Sequence, residues 1–199
     1  MAAGGDAAHI AARADLSATE QSELPVLIVT GLKQEARIAA GPGLTVICSS
    51  SNPVQLREMM VSFDPASIRG IVSFGVAGGL NPSLRSGDIV VASGIVAGRQ
   101  SWATAAALTE NLVALPNGRK RKIVSGVLAG VEEVVTGQRA KAALRATTGA
   151  DAVDMESHIA ARYAEHYGLP FAAVRVISDP AHRALPELTM NAIKPNGNV

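Results

Sequence analysis

Aromatic residues make up only 3% of this 199-residue chain, and cysteine occurs once. So few rings leave no stacking platform, and 18 basic against 17 acidic side chains leave no positive footprint, which excludes a polymeric nucleic acid as partner. A lone Cys48 excludes a disulfide framework. Its place in the apolar stretch Leu44-Thr45-Val46-Ile47-Cys48 reads as a reduced, buried strand filler, which suits a cytoplasmic protein. No run of 18 apolar residues occurs, so a spanning helix is excluded while peripheral contact with a membrane surface stays open. The histidines, His9, His158, His166 and His182, show no metal-ligand spacing, and no metal site is expected.

What is present is an apolar content of 48% with 18% charged residues, enough for one globular domain with a real core. Short β-branched runs recur at Val26 to Thr30, Leu44 to Ser49, Gly70 to Phe74, Asp88 to Ser93, Ile123 to Ala129 and Phe171 to Ile177, and read as buried strands. Helical patterns separate several of them, at Lys33 to Ala40, Pro53 to Val61, Gly137 to Thr147 and Glu156 to Tyr167. This alternation predicts a single-domain α/β fold, a mostly parallel or mixed central sheet flanked by helices, with its site beyond the carboxyl ends of the strands. The domain is expected over residues 25–183. Residues 1–24 read as a loose Ala-rich extension without the apolar core of a signal peptide, and residues 184–199 as an irregular tail.

Three clusters at strand ends carry the candidate chemistry. Gly75-Val76-Ala77-Gly78-Gly79-Leu80 follows the third strand, where a glycine-rich turn lets backbone N–H groups approach a ligand; a plain tight turn explains it equally well. Ala152-Val153-Asp154-Met155-Glu156-Ser157 puts two carboxylates at a helix start, where Asp154 also fits an N-cap. Val174-Arg175-Val176-Ile177-Ser178-Asp179-Pro180 runs an apolar strand into a polar turn. Trp102, in Gln100-Ser101-Trp102-Ala103-Thr104, reads as a core anchor or as a lid over a ligand.

In order and separation the three clusters resemble the purine nucleoside phosphorylase and methylthioadenosine nucleosidase superfamily. Together with Gly31-Leu32-Lys33-Gln34-Glu35-Ala36-Arg37, Gln100 to Thr104, and Met155 to His158 with Asp179 to Arg183, they look most like its hopanoid-associated phosphorylases. The resemblance implies cleavage of the N-ribosidic bond of an adenine nucleoside, adenosylhopane or another 5′-apolar-substituted adenosine. Inorganic phosphate is the implied co-substrate; no other cofactor is expected, and the partner is a small-molecule nucleoside. Glu156 would accept hydrogen bonds from the ribose hydroxyls and Met155 would pack on the sugar. Asp179 would hydrogen-bond or protonate the purine near N7, oriented by Ser178. Ala77, Gly78, Val134 and Val135 would wall the base. A homo-oligomer is implied as well.

The chain departs from its relatives on the nucleophile side. Phosphorylases of the superfamily carry Arg and Ser where this sequence has Ser73 and Val76, so a phosphate would have to use Arg37 or the backbone around Gly31. The nucleosidases use a Glu near the first strand to activate water, and Glu35, one position off that match, is the hydrolytic candidate. Related nucleosidases also stack an aromatic on the purine in the segment Val131 to Val135, which here has none. Family members usually continue into a further helix after Asp179, so a shortened end is expected here, with its activity in question. A nucleoside-binding protein that has lost turnover is the alternative.

Overall fold

A computed structural model describes residues 18–114 and 121–184. Residues 1–17, 115–120 and 185–199 lie outside it, and with them most of the expected N-terminal extension and of the expected tail. The described part of the first 24 residues holds a short helix, α1 (Ala18–Glu23).

The elements then run β1 (Val26–Thr30), α2 (Lys33–Ala39), β2 (Leu44–Cys48), α3 (Pro53–Val61), β3 (Gly70–Gly79), β4 (Ile89–Ala97) and β5 (Gln100–Ala103). They continue with α4 (Ala106–Val113), β6 (Ile123–Gly130), α5 (Gln138–Thr148), β7 (Ala152–Asp154), α6 (Ser157–His166) and β8 (Phe171–Asp179). Local chemistry sets several boundaries. Asn52 caps α3 by accepting from the N–H groups of Val54 and Gln55, and Pro53 occupies the first turn, where its missing N–H costs nothing. Gly149 closes α5 at φ 69°, a left-handed conformation that glycine adopts without a Cβ penalty.

The sheet is mixed. Pairs β1–β2, β1–β3, β3–β8, β4–β6 and β6–β7 are parallel, whereas β3–β7, β4–β5 and β4–β8 are antiparallel. The pairings β3–β8–β4–β6–β7–β3 form a closed circuit, from which β1 and β2 extend on one side and β5 on the other. Closure places the ends of β3, β7 and β8 side by side, which brings residues from distant parts of the chain together.

One sequence expectation changes here. The glycine-rich cluster is not a turn beyond a strand, because β3 runs on through Gly79. Neighbours on both sides hold it: Gly75, Val76 and Ala77 pair with Arg175, Val176 and Ile177, and Gly78 and Gly79 pair with Val153 and Ala152. Its N–H groups are therefore committed to the sheet and to a carboxylate described below. At four and three residues, β5 and β7 are too short for a period to show in the sequence.

The main core is apolar and centred on Leu27, Val29, Ile71, Val90, Ile95, Leu128, Phe171 and Ile177, with α6 laid against β3, β4, β5, β6 and β8. Helix α6 is buried over most of its length, and the side chain immediately before it is Glu156.

Candidate active site

A cavity of about 300 Å³ opens where β1, β3, β7 and β8 end. Its lining includes Gly31, Glu35, Ala77, Gly78, Val134, Val135, Met155, Glu156, Ser178 and Asp179. Of the residues singled out in the sequence, the fold thus gathers all but Arg37. That side chain is exposed and absent from the lining. It follows Glu35 by two positions, which on an α-helix turns it to the far side from the buried carboxylate. A larger groove of about 950 Å³ lies across the Gly130–Glu132 segment and shares no lining residue with this cavity. We place the chemistry in the smaller one, because its lining holds four carboxylates that the fold has buried, Glu35, Asp154, Glu156 and Asp179.

Glu156 sits at the cavity floor. Its carboxylate is 3.6 Å from Arg175 Nη2 and is 9% exposed as a residue. Burial pushes this carboxyl up from an ordinary 4.5 to about 7; the Arg175 guanidinium works against the rise, while Asp154 and Glu35 add to it. Arg175 itself is fully buried within an apolar strand and is fully employed. Its Nε donates to Asp154 Oδ2 at 2.7 Å, and Nη2 donates to Ser73 Oγ at 2.7 Å and to Ser157 Oγ at 3.1 Å. Burial opposes the charge on Asp154, but the guanidinium and the hydrogen bonds from Ser157 outweigh it and hold that carboxyl low. Asp154 also accepts from the N–H groups of Glu156 and Ser157 at 3.1 and 2.8 Å. The N-cap position of α6 thus falls to Glu156 rather than to Asp154, which from two residues earlier accepts the N–H groups at the helix start and holds Arg175 beneath Glu156.

Glycine at position 31 is required by contact rather than by φ. A Cβ built there would fall 2.6 Å from Glu156 Oε1 and 3.3 Å from Ser51 Oγ. Gly31→Ala is therefore expected to displace the carboxylate and lower kcat/KM for the reaction of this site about tenfold or more, the equivalent of about 1–3 kcal/mol of overpacking. Steady-state kinetics beside a thermal melt checks this; an active, unperturbed Gly31→Ala protein would show that Glu156 has room to move.

Glu35 takes a different part. Its Oε2 accepts from the N–H groups of Gly31 and Leu32 at 3.0 and 2.8 Å, and its Oε1 accepts from Val76 N–H at 2.8 Å. The carboxylate thus satisfies the start of α2 and ties it to β3, the reciprocal half of a capping box. Gly75 leaves room for it, since a Cβ there would lie 2.6 Å from Glu35 Oε1. The same bonds consume the Gly31 N–H that the sequence offered to a phosphate.

On the opposite wall Asp179 is 5% exposed. Ser178 Oγ donates to its Oδ1 at 2.5 Å and lies 3.2 Å from the Ala77 carbonyl. Lys141 Nζ donates to its Oδ2. Lys141 went unnoticed in the sequence, where it reads as one more charge on an exposed helix. Its signal was faint: it shares a face of α5 with Leu144 and Thr148. Arg175 had a plainer one, a lone charge inside an apolar strand.

Val131, Val134 and Val135 wall the cavity in the segment where relatives were expected to place an aromatic. Ser51, also in the lining, and its neighbour Ser50 adopt positive φ of 55° and 54°. Trp102 is a core residue, 6% exposed and bonded through Nε1–H to Glu165, and it lines the larger groove rather than this cavity. His182 and Arg183 are exposed. Among the described residues no helix is long and apolar enough to cross a membrane.

Solved structures share this architecture. The 5′-methylthioadenosine/S-adenosyl homocysteine nucleosidase of Campylobacter jejuni superposes with a TM-score of 0.71 at 18% identity, over 86% of this chain and 94% of that one. The Helicobacter pylori nucleosidase of the same name, in a complex with a pyrrolidine compound, gives 0.72 at 18% identity, over 88% and 93%. Futalosine hydrolase of Helicobacter pylori gives 0.71 at 20% identity, over 88% and 93%. At such identities the likeness is one of fold. In sequence, the model of the Phosphorylase superfamily matches residues 5–197, nearly the whole chain, and the protein belongs to that superfamily.

Proposed function

We propose that the protein cleaves the N-ribosidic bond of an adenine nucleoside bearing an apolar 5′ substituent, adenosylhopane being the substrate the sequence suggests, and that phosphate is the attacking group. One observation carries the cleavage reading: Glu156 and Asp179, separated in sequence and each open to a plain structural explanation, line one cavity with Met155. Breaking the bond develops positive charge on the sugar and negative charge on the base. An anion on the ribose side and a proton donor on the base side both favour that transition state. Asp179 hydrogen-bonds the purine edge and passes a proton to N7, while Glu156 holds the ribose hydroxyls and faces the developing cation.

Support for phosphate comes from the state of Glu35. With three backbone N–H groups on its oxygens, it is poorly placed to take a proton from water, and Val76 beside it offers no hydroxyl. Phosphate brings its own negative charge and needs no base, although neither holder the sequence offered it is free in the cavity, Arg37 lying outside the lining and the Gly31 N–H bonding Glu35. Hydrolysis is the second reading, favoured by the nucleosidases and hydrolase among the structural relatives and by the presence of Glu35 in the cavity wall.

Incubating the full chain with a 5′-alkyl-substituted adenosine, with and without inorganic phosphate, decides between them. Adenine release that requires phosphate, together with a ribose 1-phosphate product, is the expected result. Equal release without phosphate establishes hydrolysis, and no adenine under either condition refutes the enzymatic reading.

A further inference from the structure

Lys141 has no exposed surface, yet it carries a full set of polar contacts. Besides Asp179 Oδ2, its Nζ donates to the carbonyls of Asp179 at 3.2 Å, Pro180 at 3.1 Å and Arg183 at 2.9 Å. Burying an ammonium is costly unless it is paired and hydrogen-bonded, so a lysine placed here from a helix surface calls for an explanation beyond packing. Its one titratable partner is the carboxylate that faces the base; the other three acceptors are backbone carbonyls that follow it. Glu156 and Glu35 stand in other parts of the cavity wall.

Building on the nucleoside reading above, we propose that Lys141 is a positioning residue for Asp179, fixing its orientation and keeping a proton at hand for it. The pair does two things a lone carboxyl does not. Held by Lys141 and Ser178, Asp179 turns an acceptor oxygen to the purine edge, and so receives the N6–H of a 6-aminopurine while repelling the O6 of a 6-oxopurine. When the N9–C1′ bond breaks and its electron pair moves into the base, Lys141 Nζ passes a proton to Asp179 and Asp179 passes one to N7. Lys141 ends as a neutral amine and Asp179 as a carboxylate, to be reset by one proton from solvent after the base leaves.

Four proteins test this: wild type, Lys141→Met, Asp179→Asn and the double variant, the last of which buries neither charge. Calorimetry with adenine and with hypoxanthine is read beside the pH profile of kcat. Lys141→Met is expected to weaken adenine binding roughly tenfold, the value of one charged hydrogen bond, and to narrow the preference for adenine over hypoxanthine. The kcat profile of Lys141→Met differs in shape from that of wild type, because the ammonium that supplies the proton to Asp179 is gone. In the Asp179→Asn background the same substitution changes adenine affinity by less than about twofold, since coupled residues are not additive. That comparison stands even if Lys141→Met alone fails to fold. An equal loss in both backgrounds, or a Lys141→Met protein with wild-type preference and profile, overturns the role of Lys141 while leaving the nucleoside reading intact. Wild-type protein that binds neither purine overturns the nucleoside reading and the role of Lys141 with it.

Discussion

Asp179→Asn is expected to lower kcat for adenine release by about 10²–10⁴-fold, the range over which a positioned general acid acts. The amide keeps the shape and can still accept the hydroxyl of Ser178, but it has no proton to pass to N7. The loss should therefore appear in kcat far more than in KM, because the interaction removed belongs to the transition state. A structural cost accompanies it. The substitution leaves the Lys141 ammonium buried without its counter-ion, held by backbone carbonyls alone. Breaking a buried pair in this way costs about 3–5 kcal/mol, so kinetics must be run well below the variant's own Tm. Folded Asp179→Asn protein with kcat within tenfold of wild type would refute the base-side role.

Glu156→Gln is expected to cost about 10²–10³-fold in kcat/KM, comparable to the loss of one group aimed at developing charge. Its neutral amide cannot stabilise a cationic sugar. The wild-type pH dependence follows from the same carboxyl. Burial raises it to about 7, so the anion that the reaction needs forms only as pH rises through that value, and kcat/KM of the free enzyme rises with it. Glu156→Gln should lose this limb. Stability runs the other way. Between the ordinary value of 4.5 and about 7 the folded protein binds more protons at this site than the unfolded chain, so its contribution falls as pH increases across that window and is flat above it. Denaturant titrations near pH 5 and pH 8 should show the decline in wild type and a smaller one in Glu156→Gln. A wild-type kcat/KM with no limb near 7 would show that Glu156 titrates elsewhere or is not required as an anion.

The opposite outcomes for Glu35 and Glu156 illustrate what spacing can and cannot convey. Both are carboxylates near strand ends, and both were candidates on the same motif grounds. Glu156 has the Met155 N–H as its backbone donor and a guanidinium at 3.6 Å, fewer partners than hold Glu35, which leaves it able to meet a ligand. Glu35 is closed off by three N–H groups, one of them from Val76, 41 positions away. No local pattern around Glu35 announces that contact, because it exists only once β3 lies beside the start of α2. The same holds for the glycine cluster. Gly75 is small to admit Glu35, and Gly78 packs against Val153 and Asp179, so these glycines let side chains from other elements in rather than forming a turn that presents N–H groups to a ligand.

By itself the sequence determined the α/β alternation, since β-branched runs and amphipathic helices are written in local periodicity. It also determined that Met155, Glu156, Ser178 and Asp179 belong together, through motifs whose order is visible along the chain. Only the tertiary structure decided what surrounds them. Arg175 lies beneath Glu156 and Lys141 behind Asp179 because the strands close into a circuit and α5 packs over its end. Burial, which depends on every neighbour at once, is what sets this lysine and this glutamate apart from the same residues on a surface, because each must find its partners inside the fold.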